Sequence, residues 1–221
     1  MLQPHAVIFD MDGVLFDTES IYLNSFIKAA EPYGLQNIRE TALDFIGKSN
    51  ENPGERLKSI YGNDFPVDAF LESAKRLTQE QLKNGYPIKP GAIELLHALT
   101  DHQIPLALAS STSTKMVIKA LMRAELIHYF RHLVGGDMVQ NSKPHPDIFL
   151  TAAALLRTAP QDCLVLEDSP VGVTAACSAG MSVIMIPDLI MPDDTLKAKA
   201  AAVVSTLDQV IPLLKLPPAS S

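Results

Sequence analysis

The sequence predicts an α/β protein with a doubly wound parallel sheet and a small all-helical unit inserted after the first strand. Three observations support this fold class. Short apolar runs are continuous rather than alternating, which is typical of strands that are covered on both faces. Helical patterns separate the later runs. A long stretch after the first run has helix periodicity and no strand-like run.

Four apolar runs are predicted to form the strands of the sheet. They span Ala6 to Phe9, Pro105 to Ala109, Cys163 to Leu166 and Ser182 to Ile186. Apolar residues recur at helix spacing between Val117 and Ala124 and again between Phe149 and Leu156. The helix after the third run is expected to begin with Ser169 as N-cap and Pro170 at its first position, and to end near Gly180.

The inserted unit is predicted to be a domain of its own, spanning residues 18–87, with residues 1–17 and 88–221 forming the α/β core. Tyr22, Phe26 and Ala29 follow helix spacing at its start, and a second helical pattern runs from Phe70 to Leu82. Glycines and prolines between these patterns predict short helices. The stretch "GYPIKPG" is predicted to return the chain to the core.

The composition argues against some classes of function. The net charge of −7 argues against a nucleic-acid surface, which needs clustered lysine and arginine. The apolar runs are too short to cross a membrane. No basic region followed by an apolar stretch opens the chain, so we expect a cytoplasmic protein, and a monomer is the default expectation.

Polar groups follow the predicted strands, and the carboxyl ends of parallel strands are where such sheets place functional residues. The strand-end groups are Asp10, Asp12, Ser110, Ser111, Thr112, Glu167 and Asp168. Lys143, just before a helix, adds a cation. Crowded carboxylates repel one another, and Mg²⁺ prefers oxygen ligands, so the pattern predicts a magnesium site.

These residue types suit phosphoryl transfer. Asp10 could attack phosphorus and form an aspartyl-phosphate, while Asp12 could protonate the leaving oxygen and afterwards activate water. Lys143 and Ser110 would balance the charge of the transferring group. Purely structural roles are the alternative. An aspartate at a strand end can cap a turn, and residues 110–112 can cap the following helix.

Four motifs occur in the order in which one family has them: "DMDGVLFDTE", "ALASST", "SKPHPDIF" and "VLEDSPVGVTAACSAGM". The chain resembles the haloacid dehalogenase superfamily, in the group of phosphatases with a helical cap, and this implies a Rossmann-like core. The resemblance implies these roles: Asp10 as nucleophile, Asp12 as general acid/base, Ser110 and Lys143 as phosphate ligands, Asp10, Asp168 and the Asp12 carbonyl as metal ligands, and Glu167 as a direct or water-mediated ligand.

Within that family the second aspartate of the first motif marks phosphate chemistry rather than dehalogenation. The resemblance therefore implies a Mg²⁺-dependent phosphatase acting on a small phosphorylated metabolite, with a sugar phosphate ahead of a nucleoside phosphate. A β-phosphoglucomutase-type mutase is the alternative. Mutases of the family have a histidine where this chain has Tyr22 and an arginine near Asn50, and both departures favour hydrolysis. A non-catalytic binding protein with this fold is a second alternative.

Two further expectations concern the insert. Lys48 lies in a polar, glycine-containing loop, where a cap could reach the core, so it is a candidate substrate ligand; a solvated lysine is the equal alternative. Asp17 and Thr18 are expected to cap the first helix of the insert. Ser111 and Thr112 are expected to bind phosphate together with Ser110, because a helix N-terminus can do so while it is capped.

Overall fold

A computed structural model describes residues 1–46 and 52–217 of the chain. Its strands are β1 (Ala6–Phe9), β2 (Leu106–Ser110), β3 (His132–Gly135), β4 (Cys163–Glu167), β5 (Ser182–Met185) and β6 (Ala202–Val203). They form one parallel sheet in the order β3-β2-β1-β4-β5-β6. The predicted doubly wound α/β fold is confirmed, because the chain winds outward from β1 to one edge and then from β4 to the other.

The two edge strands, β3 and β6, are absent from the sequence prediction. β3 pairs with β2 and contains only two apolar side chains, and β6 pairs with β5 over two residues. Edge strands are covered on fewer sides, so they need no continuous apolar run. The second predicted strand also begins one residue later than expected, at Leu106.

Helices fill the connections. They are α1 (Glu19–Ala30), α2 (Ile38–Ile46), α3 (Pro53–Tyr61), α4 (Val67–Gln81), α5 (Ala92–Asp101), α6 (Thr114–Arg123), α7 (Asp147–Leu156), α8 (Pro170–Ser178) and α9 (Asp194–Lys199). The predicted start of α8 is confirmed, since the Ser169 side chain accepts a hydrogen bond from the Gly172 amide. Gly180, with φ +74°, follows the end of this helix as expected.

The core lies on both faces of the sheet. Val7 and Phe9 of β1 point to the face that α5 and α6 cover, whereas Ala6 and Ile8 point to the face that α7 and α8 cover. All four side chains are fully buried. Burying one large apolar side chain contributes about 1.5–3 kcal/mol, so β1 is held from both sides at the centre of the molecule.

Helices α1 to α4 pack around a small core of their own, separate from the sheet. Phe70 of α4 is fully buried there and meets Phe26 of α1 edge to face, with ring centroids 4.7 Å apart. The domain boundaries at 17/18 and 87/88 stay a prediction. Within the part of the chain that the structure describes, no helix combines the length and apolar character needed to span a membrane.

The two connections between this helical segment and the sheet run side by side. The Asp17 amide donates to the Pro87 carbonyl at 2.9 Å, and the Lys89 amide donates to the Leu15 carbonyl at 3.0 Å. The chain therefore leaves the sheet after β1 and returns to it before α5 through paired extended segments. Residues that follow β1 consequently lie next to the base of the helical segment.

Candidate active site

The polar residues gather where the direction of winding reverses, between β1 and β4. Asp10 follows β1, and its amide donates to the Leu166 carbonyl of β4 at 3.0 Å. Asp168 follows β4, and Ser110 ends β2 on the other side of β1. Open α/β sheets bind ligands in the crevice at such a switch point. The fold thus brings the ends of three strands, distant in sequence, to one place.

Lys143 is buried between two carboxylates. Its Nζ donates to Asp10 Oδ1 at 2.5 Å and to Glu167 Oε1 at 2.6 Å, and it lies 4.8 Å from the centroid of the Phe149 ring. Burial by itself lowers the pKa of Lys143, but Asp10 and Glu167 outweigh burial and raise that pKa above its ordinary value. The Lys143 side chain is therefore a buried ammonium held by two carboxylates.

Glu167 is held by both of its oxygens. Oε1 accepts from Lys143, while Oε2 accepts from the Ser169 amide at 2.8 Å and from the Ser169 hydroxyl at 2.9 Å. The carboxylate lies over Gly172 in the first turn of α8, where a Cβ would come within 1.7 Å of Oε1. Glycine at this position is therefore what lets the carboxylate approach the helix.

Asp12 is held by hydroxyl groups. Its Oδ1 accepts from Thr18 at 2.5 Å, and its Oδ2 accepts from Thr112 at 3.0 Å and from Ser110 at 3.4 Å. Burial raises the pKa of Asp12 above its ordinary value, although these hydrogen bonds act in the opposite direction. A raised pKa favours the protonated form of the carboxyl group, which is the form that can donate a proton to a leaving oxygen.

The expected capping of α1 by Thr18 is wrong, and the alternative that residues 110–112 cap α6 is also wrong. Thr18 occupies the N-cap position of α1, but its side chain makes no capping bond and instead donates to Asp12. Ser113 holds the N-cap position of α6, again without a side-chain cap, so residues 110–112 lie before the helix start. Within that loop the Thr112 amide donates to Ser110 Oγ at 3.0 Å, which orients the hydroxyl at the end of β2.

Gly13 lets Asp168 approach the first strand-end loop. Its φ is +83°, and a Cβ there would lie 2.3 Å from Asp168 Oδ2. A larger residue would be strained in this conformation and would displace the carboxylate. The glycine after Asp12 is thus explained by the contact between the first and fourth strand ends.

Oxygens of Asp10, Glu167 and Asp168 lie within 4.8 Å of one another. Burial, and then the charges of Glu167 and Asp12, raise the pKa of Asp10 to about 7 despite the opposing effect of Lys143. Burial and the charges of Glu167 and Glu19 also raise the pKa of Asp168. The buried carboxylates outnumber the cations near them, and hard divalent ions prefer oxygen ligands of this kind. The residues present therefore fit a divalent metal.

These groups share one cavity of about 150 Å³. It is lined by Asp10, Asp12, Glu19, Ser110, Ser111, Lys143, Glu167, Asp168, Ser169 and Val171. Six of the seven predicted strand-end residues and Lys143 therefore lie at this cavity, and the seventh strand-end residue, Thr112, contacts Asp12. Lys48 lies outside the described residues, as does Asn50.

Glu19 is a site residue that the sequence reasoning missed. Its oxygens belong to a second close group with Asp168 and Asp188, and burial followed by the charges of Asp188, Asp10 and Asp12 raises the pKa of Glu19 to about 8. The signal available in the sequence was its position as the last residue of the first motif. The direction in which the Glu19 side chain points depends on the path of the chain after β1, and the spacing of residues in the sequence does not determine that path.

Fold and site together define an α/β enzyme with an acidic, lysine-containing centre at its switch point. The sequence model of the haloacid dehalogenase-like hydrolases matches residues 7–186. The chain belongs to this family of hydrolases, and the resemblance that its motifs indicated is confirmed.

Several known proteins are similar to the chain. A Drosophila melanogaster protein provisionally named a pseudouridine-5'-phosphatase is 38% identical over 82% of this chain and 80% of its own length. A phosphorylated carbohydrates phosphatase of Thermotoga maritima is 36% identical over 80% of this chain and 82% of its own. A crystal structure of a Thermotoga maritima protein, provisionally assigned as a beta-phosphoglucomutase, superposes with a TM-score of 0.76 at 31% identity, covering 94% of this chain and 97% of that one.

Proposed function

We propose that this hydrolase of phosphate esters is a Mg²⁺-dependent phosphatase that cleaves a small phosphate monoester through an aspartyl-phosphate on Asp10. The observation that carries the proposal is the buried contact of Lys143 with Asp10, in the cavity that Asp12 and Ser110 also line. A lysine in this place can hold phosphoryl oxygens while the carboxylate attacks phosphorus. The names of the two phosphatases similar to the chain support a phosphate monoester as substrate.

In the first half of the reaction a carboxylate oxygen of Asp10 bonds to phosphorus, and the bond between phosphorus and the ester oxygen breaks. Asp12 gives its proton to the departing oxygen, which leaves as an alcohol. Thr18 and Thr112 hold the Asp12 carboxyl group in place through their hydroxyls. The product of this half is the alcohol and a phosphorylated Asp10.

In the second half Asp12, now ionised, takes a proton from a water molecule. The oxygen of that water attacks phosphorus, and the acyl-phosphate bond to Asp10 breaks, which returns the carboxylate and releases inorganic phosphate. One ester and one water have then been converted to one alcohol and one phosphate. Asp12 ends the cycle protonated, as it began.

Asp10, Asp168 and the Asp12 backbone carbonyl are the groups that would hold the metal. Mg²⁺ bound there supplies positive charge that offsets the repulsion among the carboxylates and the charge of the phosphoryl group. We assign Glu167 an indirect role, because both of its oxygens already accept hydrogen bonds from Lys143 and Ser169. Its function is to keep the Lys143 ammonium beside Asp10.

Ser110, Ser111 and Lys143 are the proposed phosphate ligands. Ser110 Oγ is oriented by the Thr112 amide, and all three residues line the cavity. Their hydroxyl and ammonium groups donate hydrogen bonds, which is the chemistry that phosphoryl oxygens need. Thr112 is assigned to the positioning of Asp12 and Ser110 rather than to direct phosphate binding.

We further propose that residues 18–87 act as a cap that closes over a small phosphorylated metabolite. Support comes from Thr18 and Glu19, which belong to the base of the helical segment and reach Asp12 and the cavity. Movement of this segment would both open the cavity and disturb the hydrogen bonds of Asp12. Closure would exclude water while Asp10 is attacking phosphorus.

A phosphosugar mutase of the β-phosphoglucomutase type is the second candidate. The similarity to the Thermotoga maritima crystal structure favours it, whereas Tyr22 stands where mutases of the family have a histidine. The two functions differ in what accepts the phosphoryl group from Asp10. Incubation with β-glucose 1-phosphate and a trace of the bisphosphate distinguishes them, since a mutase accumulates glucose 6-phosphate and a phosphatase accumulates free phosphate.

The test of the proposed function is phosphate release from a panel of sugar, polyol and nucleoside monophosphates, with and without Mg²⁺. The Asp10→Asn variant serves as the blank, because asparagine has the shape of aspartate but cannot accept the phosphoryl group. We expect Mg²⁺-dependent release by the natural protein, with sugar phosphates ahead of nucleoside phosphates, and none by the folded variant. Equal release by both proteins would exclude the proposed role of Asp10.

A further inference from the structure

Asp137 lies just after β3 and holds the start of α6. Its Oδ1 accepts hydrogen bonds from the Thr114 amide and from the Thr114 hydroxyl, each at 2.7 Å. Ser113 occupies the N-cap position without a side-chain cap, so a residue 23 positions after Thr114 supplies the acceptor for the first turn of α6. The hydrogen bond from the amide, followed by that from the hydroxyl, lowers the pKa of Asp137, which favours its carboxylate form.

The loop that precedes α6 packs against the same turn after β3. The Gly136 amide donates to the Thr112 carbonyl at 3.0 Å. A Cβ at Gly136 would lie 2.3 Å from the Ser111 carbonyl oxygen, and a Cβ at Gly135 would lie 2.2 Å from the Thr114 nitrogen. The two glycines therefore let the loop and the turn touch along their backbones, with Asp137 at the end of the contact.

The residues of this loop serve both the phosphate and the acid/base group in the proposed reaction. Ser110 and Ser111 line the cavity, and the Thr112 hydroxyl donates to Asp12 Oδ2 at 3.0 Å. Asp137 does not line the cavity, and its side chain is exposed, so solvent screens its charge. Any influence of Asp137 on the site must therefore come from where it places the loop.

We propose that Asp137 is a positioning residue for the proposed phosphatase reaction, because by holding Thr114 it fixes residues 110–112 at the cavity. The proposal rests on the proposed function and adds to it a residue that touches neither substrate nor metal. Hydrogen-bond donors stabilise a phosphoryl group best when they are held in place before it arrives. Without the Asp137 carboxylate the start of α6 loses its acceptor, and the loop before it is free to shift.

The test compares Asp137→Ala with Asp137→Asn. Alanine removes the acceptor, whereas the side-chain carbonyl of asparagine can accept the same two hydrogen bonds without a charge. We expect Asp137→Ala to lower kcat/KM for p-nitrophenyl phosphate about tenfold and to weaken the binding of inorganic phosphate in the presence of Mg²⁺ by a similar factor. Asp137→Asn should restore both quantities to within about twofold of the natural protein, since asparagine and aspartate serve equally well at helix starts.

Asp193→Ala is the matched control for the loss of a helix cap. Asp193 is also an exposed aspartate, and its side chain accepts from the Leu196 amide at 2.7 Å at the start of α9. No residue of α9, all of which the structure describes, lines the cavity. This variant should lower the Tm, as Asp137→Ala should, and leave kcat/KM and phosphate affinity at their natural values.

Two results would overturn the proposal. If Asp137 only stabilised α6, Asp137→Ala would lower the Tm while kcat/KM and phosphate affinity stayed unchanged. If Asp137→Asn were as impaired as Asp137→Ala, the hydrogen bonds to Thr114 would not be the cause. A natural protein that releases phosphate from no monoester contradicts the proposed function instead. Titration calorimetry of inorganic phosphate into the variants then still decides the role of Asp137, and a natural protein that binds no phosphate would overturn that role as well.

Discussion

At the scale of single residues, the centre of the site is a lysine buried between two carboxylates. A buried ion pair loses solvation that its Coulomb attraction only partly returns, so Lys143 with Asp10 and Glu167 adds little to stability. Two acids also leave an excess of negative charge in a cavity that Asp12 and Asp168 make more acidic. Groups with perturbed pKa values in a cleft are typical of functional sites, so this cluster supports the proposed chemistry.

Asp12→Asn tests the role of Asp12 in the second half of the reaction. With p-nitrophenyl phosphate the leaving group needs no proton, so Asp10 should still be phosphorylated once, whereas hydrolysis of the aspartyl-phosphate needs the base. We expect a burst of p-nitrophenol close to one equivalent per enzyme, followed by turnover reduced about a hundredfold or more. Rapid-mixing absorbance measures both phases, and steady turnover without a burst would contradict the assignment.

Thr18→Val tests the positioning of Asp12. Loss of the hydroxyl leaves one oxygen of a buried carboxyl group without its donor, so we expect kcat to fall about tenfold with little change in KM. Thr41→Val is the matched control, because Thr41 also has a hydrogen-bonded, buried hydroxyl in the helical segment, but its partners are the Asn37 carbonyl and the Tyr61 hydroxyl. A comparable loss of kcat in both variants would show that the effect is not specific to Asp12.

Most of the site could be predicted at this scale because its residues sit at strand ends or in motifs. Asp10, Ser110 and Asp168 follow from the position of the strands, and Lys143 from its motif. Thr18 and Glu19 could not be assigned in this way. Their partners are fixed by the turn of the chain out of β1, which is a long-range property that residue spacing does not contain.

At the scale of elements, the site depends on close approach between loops and helix starts. β1 and β4 are neighbours in the sheet, so the loops after them meet, and Gly13 and Gly172 remove the side chains that would keep those loops apart. α8 begins at Pro170 directly beside the carboxylate of Glu167. The strand order of the parallel sheet thus brings the acidic residues after β1 and β4 together, and Gly13 and Gly172 allow the carboxylates of Asp168 and Glu167 to approach closely.

Gly172→Ala tests this element contact. The new Cβ would overlap Glu167 Oε1, so the carboxylate must move and release Lys143. We expect the free energy of unfolding to fall by about 1–3 kcal/mol and kcat to fall at least tenfold. Gly54→Ala, in the first turn of α3, is the control, because its nearest neighbours would be 3.2 and 3.3 Å away. Urea unfolding and steady-state kinetics measure the two effects, and unaltered kinetics in Gly172→Ala would contradict the account.

The central strands could be predicted because burial on both faces requires a continuous apolar run. β1 matches its predicted range, Ala6–Phe9, and β4 extends one residue further, to Glu167. β3 and β6 lie at the edges, where partial exposure permits residues such as His132 and where two residues suffice for pairing. A prediction based on continuous apolar runs therefore does not detect the edge strands.

At the scale of the whole molecule, the sheet and the helical segment are joined by two adjacent connections, and the site lies where these connections leave the sheet. Thr18 links the first connection to Asp12, and Lys89 links the second to Asp188 after β5. A change in the position of the helical segment would therefore move residues that contact Asp12 and Asp188. If the helical segment closes as proposed, its movement would be coupled to the proposed acid/base group, Asp12.

Metal binding should stabilise the whole fold. A ligand that binds only the folded state adds about 2.7 kcal/mol at a concentration one hundred times its Kd. We expect Mg²⁺ to raise the Tm and excess EDTA to reverse the rise. The Asp168→Asn variant should show no rise, because it loses one of the carboxylates that, with Asp10, would bind the metal. Differential scanning fluorimetry measures all three. A Tm that does not respond to Mg²⁺ or to other divalent ions would contradict the metal site.

In the proposed reaction Asp10 carries the phosphoryl group during turnover. Rapid acid quench of the protein with p-nitrophenyl phosphate, whose leaving group needs no proton from Asp12, and Mg²⁺, followed by peptide mass spectrometry, measures this directly. We expect one added phosphoryl group on the peptide that contains Asp10, accumulating in Asp12→Asn and lost after hydroxylamine treatment. Asp12→Asn protein that turns over substrate while this peptide stays unmodified, or carries the phosphoryl group on another residue, would contradict it.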